Sequence, residues 1–90
     1  MLVTKLKIDG QYFYLVPETD VDALKSAIVA AVKSGSAFVE FATHGHGRVS
    51  VLMTPYIPAR FEIVERTEEE VAGWADEPPS FEYDPDSFLT

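Results

Sequence analysis

There is no cysteine in this sequence, and that absence removes disulfides, thiolate metal sites and cysteine nucleophiles together. Small secreted domains usually need such staples, so a cytoplasmic location is the expectation. Long apolar runs are missing as well. The longest, Ala27 to Val32, is six residues, against the roughly 20 that a bilayer-spanning helix requires. Residues Met1 to Lys7 alternate charge with apolar side chains and contain no h-region, so no signal peptide is expected. Basic side chains are few. Seven Lys and Arg stand against fifteen Asp and Glu, for a net charge of −8. No segment repeats at any period.

What is present is enough apolar material for one thin-cored domain. Ninety residues allow a single domain, and a chain of that size buries only about 60% of its unfolded surface. Apolar residues at 47%, with 12% aromatic, argue against disorder throughout. The charge is segregated. Residues 1–61 hold six basic and five acidic groups, whereas residues 62–90 hold one basic group, Arg66, and ten acidic ones. The first part is near neutral and the second carries −9, which marks a distinct tail or an interaction surface.

The apolar periodicity gives the order ββαβββ. Leu2, Thr4, Leu6 and Ile8 alternate with Val3, Lys5 and Lys7, which predicts a strand with the lysines facing solvent. Asp9-Gly10 follows, a hairpin signal because both residues tolerate positive φ, and Gln11 to Val16 is the partner strand, ended by Pro17. Thr19 and Asp20 offer caps. Val21, Leu24, Ile28 and Val32 recur at helical spacing, with Ala27 and Ala31 beside the stripe, and Gly35 suits a helix terminus. The helix is placed at 20–34. Strands are expected at 37–42, 48–54 and 60–65, with Phe61 and Ile63 facing inward. Pro55 to Pro58 forms a turn. One helix on one face of an antiparallel sheet makes a two-layer α+β domain over residues 1–66. Its opposite face carries Lys5, Lys7, Arg48 and Arg60, together with Leu52 and Phe38, partly basic and partly apolar. A bare sheet face of this kind suits a second subunit, so a homodimer is one expectation.

Residues 67–90 form an acidic, aromatic tail. Thr67 and Glu70 fit a capping box, predicting a short helix at about 68–75. Beyond Pro78-Pro79, aromatics alternate with acids. Trp74, Phe81, Tyr83 and Phe88 sit among Asp76, Glu77, Glu82, Asp84 and Asp86. This pattern loosely resembles the acidic tips of bacterial single-stranded-DNA-binding proteins, but it runs past its last Phe to Leu89-Thr90, and no function is carried over.

The histidines are the only candidates for metal chemistry. His44 and His46 stand two apart and so could share a face and an ion. Thr43, His44 and His46 resemble the start of the Thr-His-x-His-x-Asp-His run of metallo-β-lactamases. Arg48 and Val49 replace its Asp and His, and the chain is too short for that fold. The expectation is an exposed glycine-containing loop with no cofactor. Gly45, Gly47 and Arg48 could cradle an anion, but they lack P-loop spacing. No nucleophile elbow occurs, so an enzyme is not expected.

These features favour a non-enzymatic protein-interaction or regulatory module. In it, Trp74, Phe81, Tyr83 and Phe88 anchor on a partner's basic or apolar groove and Asp84 and Asp86 steer the approach. A second reading packs Trp74 and Phe81 on the chain's own open sheet face, with the acids paired to Lys5, Lys7 and Arg60. The alternatives are a nucleic-acid-mimic inhibitor of a host protein, of the kind a phage encodes, and, last, a small metal- or anion-binding protein built on His44 and His46. Direct nucleic-acid binding is opposed by the net charge.

Overall fold

Asp9 and Gly10 both take positive φ, 52° and 81°, as a two-residue hairpin turn requires. They join β1 (Leu2–Ile8) to β2 (Gln11–Tyr14). The computed structural model describes residues 1–74 and 76. After β2 come α1 (Val21–Lys33), β3 (Ala37–Thr43), β4 (Gly47–Met53), β5 (Ala59–Glu65) and α2 (Glu68–Gly73). This is the expected α+β architecture, an antiparallel sheet with one helix packed on it.

Helix α1 starts and stops where the local chemistry dictates. Asp20 is the N-cap, and its carboxylate accepts the Ala23 N–H at 3.0 Å, satisfying a donor that the helix itself leaves unpaired. Gly35, at φ 104°, takes the left-handed turn-off that side-chain-bearing residues resist. Leu24, Ile28 and Ala31 are the buried stripe.

The strands pair in two groups. One is a three-stranded sheet in the order β2-β1-β5, the other is the β3-β4 hairpin. A single antiparallel bridge, Leu15 to Thr43, ties them together. There the Val16 N–H donates to the Ala42 carbonyl (3.3 Å) and the His44 N–H to the Tyr14 carbonyl (2.9 Å). Pro17 has no N–H to continue the ladder, and the chain turns away into α1. Leu6, Leu15 and Met53 are the most deeply buried large side chains. Phe13 meets Phe41 edge to face, with centroids 5.3 Å apart. Across the bridge, both groups present this core on the same side as α1.

One expectation of facing needs correction. Ile63 lies on the core side in register with Thr4, yet it is 71% exposed, and Leu2 on the same side is 69% exposed. Val3, on the opposite side, is only 3% exposed. For Ile63 and Leu2 the cause is placement of the helix. α1 packs chiefly on β3 and β4, so among the described residues the far end of β1 and β5 has no inner cover. No helix among the described residues is long and apolar enough to cross a membrane.

Candidate interaction surface

The outer face of β1, β2 and β5 is built by strand parity. Lys5 stands opposite Tyr14 and Lys7 opposite Tyr12, while on the other flank Lys7 stands opposite Arg60. Cross-strand neighbours on one face lie close enough to interact. The Lys5 Nζ lies 3.9 Å from the Tyr12 ring centroid and 5.5 Å from that of Tyr14, within cation–π range. Arg66 also reaches over Tyr14, its guanidinium carbon 5.9 Å from the ring centroid. Arg60 donates to Glu62 at 3.0 Å.

Helix α2 closes one end of this face. Its capping box is complete: the Glu70 N–H donates to Thr67 Oγ1 (3.1 Å) and the Thr67 N–H to Glu70 Oε1 (3.4 Å). A helix this short does not persist alone, and a tertiary anchor is present. Trp74, its C-cap, sits 4.7 Å from the Tyr14 ring centroid at 43° and 5.2 Å from the His44 ring at 61°. Tyr14, flanked by this indole and by Lys5 and Arg66, is buried. The first ring of the acidic, aromatic segment is therefore seated on the chain's own sheet. Phe81, Tyr83, Asp84, Asp86 and Phe88 lie outside the described residues.

His44 is not the exposed loop residue the sequence suggests. It is half-buried, and its Nε2 is enclosed with no hydrogen-bond partner among the described residues. Burial pulls its pKa below the ordinary imidazole value, and the Glu18 carboxylate opposes that shift in part. No group of three or more metal-ligating side chains occurs among the described residues. Gly45 and Gly47 take positive φ, 78° and 70°, which turn geometry alone requires.

The basic residues expected on the outer face are all on that side, but in two settings. Lys5, Lys7 and Arg60 belong to the three-stranded part. Arg48 belongs to β4, opposite Ala42, and its guanidinium bonds the Glu40 carboxylate. That bond holds the Glu40 carboxyl below the usual carboxylate range and occupies the cation that an anion cradle would have used. Beside this pair, exposed Phe38 faces Leu52 across the hairpin.

The sequence gives no sign that Tyr14 and His44 form the seat of Trp74. Their meeting depends on the Leu15–Thr43 bridge, for which no local signal exists. No protein-family model, curated protein or solved structure matches this chain.

Proposed function

We propose that this chain is a non-enzymatic protein-interaction module whose acidic, aromatic C-terminal segment engages a partner from the outer face of the sheet. The observation that carries the reading is the seat of Trp74 on Tyr14 and His44. It fixes the root of residues 75–90, which carry five acidic and no basic side chains, at the rim of a face bearing Lys5, Lys7 and Tyr12. Rings serve as anchors in interfaces, and charges steer approach. A partner that accepts the segment would meet this face as well.

The test compares the full chain with a chain ending at Asp76 as baits in an untargeted capture. Loss of the captured protein on truncation, with the fold retained by circular dichroism, supports the proposal. Equal capture by both baits defeats it. Charge segregation also favours a second reading, imitation of nucleic-acid charge, and salt separates the two. Capture by mimicry falls steeply as salt rises, whereas anchoring by rings persists.

A further inference from the structure

We propose that the free edge of β3, from Phe38 to Ala42, captures an extended peptide of another protein in which apolar residues alternate with Lys or Arg. The inference goes beyond the C-terminal segment and does not depend on it.

Backbone parity supplies the first argument. Successive residues of an antiparallel strand aim their N–H and C=O groups to alternate sides. The Ala42 carbonyl and the His44 N–H point toward β2, where they bond Val16 and Tyr14. The same parity sends the N–H of Ala42 and both backbone groups of Glu40 and Phe38 toward that side. Pro17 ends the β2 row, and the Thr19 N–H turns back to the Val16 carbonyl at 3.1 Å. No backbone partner meets this stretch of β3 among the described residues.

The second argument is the space beside that edge. A groove of about 400 Å³ runs between β3 and α1, with Val16, Ala23, Leu24, Ala27 and Phe41 among its lining. The small side chains Ala23 and Ala27 leave room for an added strand. Strands at sheet edges are normally blunted by Pro, Lys or a bulge. β3, with the sequence AFVEFAT, has none of these, and its one charge, Glu40, is turned to Arg48.

Charge selects the occupant. Glu18, Asp20 and Glu40 line the groove, and the cation there, Arg48, is already held by Glu40. Asp20 caps α1, so the helix N-terminus already has its anion. The chain's own residues 75–90, at −5, and a second copy, at −8, are both repelled. An added strand points alternate side chains to opposite faces. One set would enter the apolar groove and the other would meet the carboxylates. Backbone pairing supplies affinity and the alternating side chains supply selectivity.

The test titrates the isotope-labelled full chain with acetyl-Lys-Val-Lys-Val-Lys-amide and follows amide exchange by NMR. At peptide concentrations about ten times the dissociation constant, exchange at Glu40 and Ala42 should slow about tenfold. The Glu-Val-Glu-Val-Glu analogue and a lysine peptide methylated at every backbone nitrogen should leave it unchanged. Ala27→Arg, at an exposed helical position, fills the groove and should abolish the slowing while the rest of the spectrum is retained. Equal binding of the methylated peptide overturns the proposal, as does slowing confined to other strands or no slowing at millimolar peptide. Slowing that grows with protein concentration in the absence of peptide overturns it in favour of self-pairing.

Discussion

Trp74 and Tyr14 are 60 residues apart in the chain, yet their ring centroids lie 4.7 Å apart. The contact joins a one-turn helix to the hairpin formed by β1 and β2. Neither partner explains the other locally. The Thr67–Glu70 capping box starts the helix, and the indole gives it something to rest on.

Removing that ring should be felt in both places. Trp74→Ala forfeits an aromatic pair and the burial it provides, a loss of about 1–2 kcal/mol for a partly exposed ring. Urea unfolding should show the decrease, and amide exchange in residues 68–73 should accelerate as α2 loses its anchor. Unchanged exchange there would mean that α2 holds without the indole. Trp74→Phe should recover most of the loss.

His44 gives the fold a pH dependence whose sign follows from its surroundings. Burial depresses its folded-state pKa, while the unfolded imidazole titrates near 6.5. The unfolded chain therefore takes up the proton first. The stabilisation is complete above about pH 6.5 and declines as pH falls through the folded value. The melting temperature should drop between about pH 7.5 and pH 5.5, and His44→Gln should flatten that slope. Full slope in the variant would assign it to another group.

The elements were legible in the sequence because their signals are local. Asp9-Gly10 is a turn that needs no tertiary help, Asp20 and Gly35 bracket α1 by their own backbone chemistry, and Thr67 with Glu70 announces α2. What could not be read is which end of the sheet the helix covers. Leu6 and Ile63 obey the same alternation on neighbouring strands, and only the lie of α1 over β3 and β4 separates a core residue from a surface one. The seat of Trp74 was illegible for a related reason. It depends on the Leu15–Thr43 bridge bringing Tyr14 beside His44, and Pro17 limits that pairing to one step.

The Glu40–Arg48 pair should report itself in titration far more than in stability. Both side chains are largely exposed, and exposed pairs contribute little net free energy because solvent screens them. Arg48→Gln should raise the Glu40 carboxyl toward its ordinary value, visible in the pH dependence of its carboxyl carbon resonance. The melting temperature near neutral pH should stay within replicate scatter. A large drop would show that Arg48 packs as well as pairs.

A final pair of substitutions separates periodicity from burial. Leu6 is fully enclosed and Ile63 is largely in water, although both lie on the core side of adjacent strands. Leu6→Ala leaves a cavity among Phe13, Met53 and the α1 stripe, and should cost about 2–5 kcal/mol. Ile63→Ala removes side-chain surface that folding mostly leaves in water, so its loss should stay within about 0.5 kcal/mol. Urea denaturation of the two variants at several protein concentrations checks both values. A cost for Ile63→Ala that grows with concentration would show that the uncovered end of β1 and β5 is buried in an assembly of copies, because only a contact between chains makes apparent stability depend on how many chains are present.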